Sequence, residues 1–411
     1  MALPPNPTPT SIVGRWARRL LAPFRLIDWR AVRRRFVSPY YLAALAATVV
    51  FVVTTAGWLG SYGGLLAAWL PSEYFPFSFV IVILYLTGLL GWGRRLLSPL
   101  YLAALLLIVA FAVLAQGTIC APVSYLTLSL TFASIYIALA LAWDFSSGMS
   151  GYVNFGLPFF YGIGAFVAGY YAWNGTRSVP FLLLAAVAAG ALGGLLFSFP
   201  TLRLRGPYFS LLSLLLPFIG LDIVVTYWTQ LGIPSPSGYY DLPFLGATYG
   251  TDLIILSGLN ATLLTVLYLL RNSHFGLILR GIRDDEDALS SQGIRTFPYK
   301  VVAFTFASGI AGFSGAAYSM VVTSATVDTF EFTFLLFPIL IVILGGTGEI
   351  VGAVFGGYIV ILTYQYMFEA FSGITLIVFT LAAILLVIFI PRGIVSPLRS
   401  FIRFMSTPEA P

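Results

Sequence analysis

One cysteine and one histidine stand in a chain of 411 residues, and each shortage closes off a class of chemistry. Cys120 has no partner for an intramolecular disulfide, and His274 alone leaves almost no conventional metal site. Charge is scarce too, at 9% of residues, with 15 acids against 21 Lys and Arg. The sequence contains no GxxxxGK[ST] phosphate loop, no HExxH, no paired-Cys motif and no candidate Ser/His/Asp set. Gly345, Gly346 and Gly348 lack the lysine that a phosphate loop requires, and they fit small-residue helix contacts instead. These absences argue against an enzyme and place any nucleotide hydrolysis in another polypeptide.

What the chain has is hydrophobic length. Apolar side chains make up 59% of it, and runs approaching the ~20 residues needed to cross a ~30 Å hydrocarbon core recur almost throughout. Spans are expected near 40–59, 78–92, 100–116, 125–143, 152–173, 180–199, 207–228, 251–270, 300–322, 333–345, 352–368 and 373–390. The stretch at 333–345 is short enough to be re-entrant. The fold class is therefore all-α, a polytopic integral membrane protein with about ten to twelve transmembrane helices.

Ahead of the first span lies a basic arm, 1–37, carrying Arg15, Arg18, Arg19, Arg25, Arg30, Arg33, Arg34 and Arg35. Its apolar stretch begins too late for a secretory signal, so the arm is read as retained on the cytoplasmic side against anionic headgroups. Threading the spans from an inside N-terminus puts every Lys and Arg except Arg177 on the inner side. That bias sets the orientation, with both termini cytoplasmic in the cell membrane, and accounts for the net charge of +6 without a nucleic-acid partner. One internal repeat is visible: Arg34, Arg35, Ser38, Pro39 and Tyr41-Leu-Ala-Ala-Leu45 recur 60 residues later from Arg94 to Leu105. A duplicated hairpin and a shared helix-starting grammar of Ser cap and first-turn Pro both explain it.

The inner loop 271–299 concentrates charge that the rest of the chain avoids. Asp284 or Asp285 can cap a helix start and Gly293 can stop it, giving about two turns at the membrane surface. A solvated connecting loop is the plainer reading of such a charge run. However, Asp287-Ala288-Leu289, three further residues and Gly293 form a variant of an acidic-Ala-Ala-x-x-x-Gly coupling motif. FGLILRGIRDDEDALSSQGI, followed by YKVVAFTFASGIAGFSGAAY, is similar to the LivM-type branch of the branched-chain amino acid permeases of ABC importers. TLRLRGPYFSLLSL from Thr201, FEFTFLLFPILIVILGGTGEIVGAVFGG from Phe330 and IPRGIVSP from Ile390 resemble further blocks of that family, in order, from about Leu126 to Pro397.

The resemblance implies an ABC importer permease fold with a core over 117–395, additional N-terminal transmembrane helices over 38–116 and a cytoplasmic tail, 396–411. It implies a complex with a second, LivH-like permease, two cytosolic ATPases that bind ATP and Mg, and an extracytoplasmic solute-binding protein. The chain itself would bind no cofactor. Docking to an ATPase falls to Arg280, Arg283, Asp284, Asp285, Glu286, Asp287, Ala288, Leu289 and Gly293, with the two arginines anchoring the helix.

The path for solute is read from Phe145 to Gly169, where Gly and polar residues are too frequent for a lipid-facing helix. Ser150, Asn154 and Tyr161 are candidates there, against the alternative of plain helix packing. Asp222, read as the only acid well inside a span, joins them; local pairing or a place at the outer interface is the competing reading. Two departures from the family, Phe218 where Glu is common and GIPSPSGYY at 232–240, bear on the solute more than on the fold. Urea or short-chain amide permeases, a secondary transporter and a passive channel are the rivals. A proton-coupled carrier would need a relay of buried acids or histidines, and a channel has no use for an acidic docking helix.

Overall fold

Proline and glycine punctuate the helices. The computed structural model describes residues 99–117, 125–204, 206–246 and 248–370, together with 381, 393 and 394. The basic arm, the C-terminal tail, the expected spans near 40–59 and 78–92 and, apart from 381, the one near 373–390 lie outside the described residues. Among the described residues ten α-helices follow in order: α1 Pro99–Gly117, α2 Tyr125–Trp143, α3 Leu157–Trp173, α4 Val179–Thr201, α5 Pro207–Tyr227, α6 Tyr249–Arg271, α7 His274–Ser291, α8 Thr296–Val322, α9 Thr333–Gly345 and α10 Val351–Ala370. Pro158, Pro180 and Pro207 sit in the first helical positions of α3, α4 and α5, where a missing N–H breaks no intrahelical bond. At the start of α6, Thr248 and Thr251 exchange side-chain bonds with each other's backbone N–H, a reciprocal cap.

Six of the described helices are long and apolar enough to cross a membrane: α2 with its continuation to Gly148, α4, α5, α6, α8 and α10. Helix α9 has 13 residues, about 20 Å at 1.5 Å per residue, and falls short of the ~30 Å core. Two features depart from the sequence reading. The expected span at 152–173 begins only at Leu157, because α2 first runs through a π-helical turn, Asp144–Gly148, and then a non-helical stretch at 151–156. Gly151 turns the chain there with φ +77. The all-helical body also carries one two-stranded antiparallel pair, β1 Gly238–Tyr240 against β2 Ser324–Thr326, with Tyr239 opposite Ala325.

Burial separates inner from outer helices. Of the apolar window in α2, 78% is buried, and 72% of that in α8, against 22% in α4 and 33% in α5. Leu184, Leu192, Leu196, Tyr208, Leu211 and Phe218 on α4 and α5 are accordingly exposed, as lipid-facing side chains are. Between helices already in lipid, hydrophobic transfer contributes little, so close van der Waals packing must hold them. Small residues supply it. An added Cβ at Gly190 of α4 would lie 2.5 Å from the Ser308 carbonyl of α8, and one at Gly312 of α8 2.5 Å from the Ala186 carbonyl of α4. Gly164 and Gly315 likewise bring α3 and α8 into backbone contact. Polar links add to this: Asn260 donates to the Ser134 carbonyl at 2.8 Å, and Tyr101 and Thr265 hydroxyls meet at 2.8 Å.

Candidate functional site

Helix α7 is two helices joined at a corner. Its first half, from His274 to Asp284, buries Gly276, Leu279 and Ile282, a three-residue spacing that turns one face to the protein. The backbone then breaks at Asp285, at φ −161 and ψ 102. Asp285 Oδ1 accepts the Ala288 N–H at 2.9 Å, the bond an N-cap makes to the third residue of the helix it starts. At the other end Gly293 N–H reaches the Ser290 carbonyl at 2.9 Å and Ile294 N–H the Leu289 carbonyl at 3.2 Å. That is the Schellman pattern, and it demands the left-handed φ of +83 that Gly293 adopts. The expected short helix is thus present at 286–291. The preceding half is helical where the sequence predicts an inner loop, since its charges mask a narrow apolar stripe.

Charge on this stub is sorted by direction. Asp284, Asp285, Asp287 and Ala288 are exposed, while Leu289 is half-buried over Gly281. Glu286 turns inward to Lys300, whose ammonium lies 2.9 Å from its Oε1, and to Thr296, which donates at 2.6 Å. Tyr152 also donates its hydroxyl to Glu286, and Lys300 sits 4.3 Å above the Tyr152 ring. Burial pushes the Glu286 carboxyl up, but the bonds from Lys300, Thr296 and Tyr152 outweigh it and hold the group below the ordinary glutamate value. Arg280 turns back toward the Gly276 and Arg271 carbonyls, at 3.3 and 3.4 Å.

Arg283 ties the stub to the membrane body. Its Nη1 donates to the Gly148 carbonyl in the π-turn at 2.7 Å and lies 3.5 Å from the Thr347 carbonyl. A fully buried carboxylate stands beside that contact, on Asp144. Asp144 Oδ1 accepts the Gly348 N–H at 2.6 Å and Oδ2 the Ile350 N–H at 2.7 Å. Arg271, buried at the end of α6, donates from Nε to the Gly348 carbonyl and from Nη2 to Glu349, both at 2.9 Å. Burying a carboxylate at the edge of an apolar body costs several kcal/mol unless its oxygens are bonded, and here both are. Asp144, Arg271, Glu349 and Lys300 were missed as site residues. Asp144 carried a signal, an acid directly abutting the apolar run 125–143, but with the span ended at Trp143 it counted as outside.

The path candidates do not converge. Ser150 bonds the Ser146 carbonyl and accepts the Tyr152 N–H, so it closes the π-turn locally. Asn154 holds the non-helical stretch: its Oδ1 accepts Gly156 N–H at 2.8 Å, its N–H meets Ser147 Oγ at 3.0 Å and its carbonyl accepts Trp143 Nε1 at 2.9 Å. Its Nδ2, like the Tyr161 hydroxyl, is buried with no partner among the described residues. The Tyr161 ring stacks on Phe334 at 4.5 Å. Asp222, in contrast, is exposed on α5, 3.5 Å from the Thr226 hydroxyl. It is not the only acid within a span, since Asp144 and Asp252 lie in spans and are buried. The near-continuous apolar run around Asp222 gives no hint of which face meets protein.

Among the described residues no group of three or more His, Cys, Asp and Glu side chains could hold a metal ion. The arrangement is an exposed acidic stub, capped at both ends and held through Arg283 against the π-turn and the turn between α9 and α10. Comparison with known proteins agrees with a transport role. The family described as "Branched-chain amino acid transport system / permease component" matches residues 125–390. The chain is 27% identical over 309 residues to the high-affinity branched-chain amino acid transport system permease protein LivM of Salmonella typhimurium, covering 67% of this chain and 71% of that one. It is 28% identical over 297 residues to the protein of the same name from Escherichia coli, covering 64% and 68%. A nucleoside ABC transporter permease protein, NupC of Lactococcus lactis, is 27% identical over 197 residues, covering 43% and 61%. No solved structure matches.

Proposed function

This chain belongs to the branched-chain amino acid permease family of ABC transporters, and from that premise we propose that it carries branched-chain amino acids or related small polar solutes into the cell, driven by ATP hydrolysis in separate subunits. As a permease it is a multi-pass membrane protein and not itself an enzyme. The single observation that supports the ATP-driven reading best is the capped acidic stub Asp284–Gly293, whose three aspartates face outward while Arg283 anchors it to the π-turn. A stub too short to cross a bilayer, yet ordered at both ends, suits insertion into a groove on a cytosolic ATPase. In this reading Arg280 and Arg283 hold the helix, Asp284, Asp285, Asp287 and Ala288 meet the ATPase, and Glu286, Leu289 and Gly293 fix its shape. A second, LivH-like permease and an extracytoplasmic binding protein complete the importer in the plasma membrane, with both termini cytoplasmic.

The solute is proposed from the names of the relatives, and those of LivM and NupC differ. Asn154 and Tyr161, each with a buried polar atom unpartnered among the described residues, are the better path candidates; Ser150 is buried and bonded within its own turn, and Asp222 serves the path only if the partner permease covers it. The test replaces Asp285 to Ala288 with a Gly/Ser stretch. Membrane insertion should persist, ATP-dependent uptake should vanish and ATPase co-purification should weaken; normal uptake would count decisively against docking through this stub. Competition of uptake by leucine, isoleucine and valine against nucleosides assigns the solute.

A further inference from the structure

Three membrane-embedded elements meet at one buried carboxylate. The turn between α9 and α10, 346–350, is conformationally expensive: Gly346 and Gly348 have φ +115 and +78, and the β-branched Ile350 is held at φ +54. A β-branched residue enters that region only where its surroundings fix it there. The fixing bonds are on the page. Asp144 grips the turn from the π-turn through Gly348 and Ile350, Arg271 grips it from α6, and the same π-turn receives the stub through Arg283 at Gly148. No flexible side chain separates the Gly148 carbonyl from Asp144, since both belong to one helical turn.

We propose that Asp144 is a positioning residue that makes the α9–α10 turn move with the docking stub. A displacement of α7 pulls the π-turn through Arg283, and the carboxylate carries that shift into the turn because both its oxygens are committed to backbone N–H groups. Packed networks of this kind have discrete arrangements, which suits a switch more than a spring. Gly148 leaves room for this carboxylate, since an added Cβ there would lie 2.0 Å from Asp144 Oδ1 and 2.9 Å from Gly348 N. This inference rests on the ATP-driven reading of the stub.

The experiment uses the full importer reconstituted in proteoliposomes with its binding protein and solute. Asp144→Asn keeps the size of the side chain but presents an amide donor to one of the two N–H groups, so one bond is lost. Complex assembly and ATP hydrolysis should stay within about twofold of wild type while solute moved per ATP falls about tenfold or more, the size of a typical coupling free energy. Unchanged solute per ATP in an assembled Asp144→Asn complex overturns the proposal. Hydrogen exchange of the wild-type complex supplies a readout that survives a misfolded variant. Protection of 345–351 should change between ADP and ATP together with that of 284–293; a stub that responds while the turn does not overturns the proposal as well. Absence of any ATP-dependent uptake by the wild-type complex would strike the permease reading itself, and is distinguished in that way.

Discussion

Glu286 shows how a charged residue in an outward acidic run can be structural. Its carboxylate and the Lys300 ammonium have side-chain exposures of only 13% and 4%, so removing one partner leaves the other poorly solvated. Lys300→Met alone should lower unfolding free energy in a denaturant titration by about 2 kcal/mol, less than for a fully enclosed pair because Glu286 keeps some access to solvent. The double variant Glu286→Leu with Lys300→Met should recover part of that loss, and additive losses would show that the pair is not coupled. Because its folded pKa is depressed, Glu286 contributes fully above the ordinary glutamate value of 4.5. Its contribution is lost as pH falls through the lowered folded value, so the penalty of Lys300→Met should shrink in acid and be constant from about pH 5 upward. The acidic run itself was legible in the sequence. That Glu286 alone turns inward was not, because its partner Tyr152 is 134 residues away and no local pattern encodes such a meeting.

The acidic stub is the element whose form the sequence declared most fully. Asp285 before an apolar-poor hexad and Gly293 after it are cap residues by chemistry, and both cap as that chemistry requires. Asp285→Ala and Gly293→Ala should each cost the stub about 1 kcal/mol of order, and thereby weaken binding of the isolated ATPase by up to about fivefold if it binds only the ordered stub. Surface-plasmon titration measures that loss, and undiminished affinity in both variants would mean that the helix is not the docking form. The π-turn and the break at 151–156 lay beyond periodicity, since an inserted residue leaves composition unchanged. Asn154, Gly151 and Gly156 held the clue, as turn formers grouped inside an apolar run.

Across the molecule the positive-inside bias and the placement of α7 and Arg177 at opposite ends of three candidate spans, α4, α5 and α6, make one orientation testable. In a Cys120→Ser background, Asn174→Cys should react with a membrane-impermeant thiol reagent on intact cells, and Ser291→Cys only after permeabilisation. The reverse pattern would invert the topology and remove the stub from cytosolic reach. Most spans among the described residues were readable because lipid imposes a length rule on helices that cross it. Helix neighbours were not, since small residues mark tight contacts without naming the partner. Backbones touching along α8 at Gly164, Gly190, Gly312 and Gly315 leave no room for even a methyl group. A tolerance map made by saturating every codon will therefore flag these seams as strongly as any cargo-binding position, and the quiet, permissive side chains between them are where a shift of specificity has space to evolve.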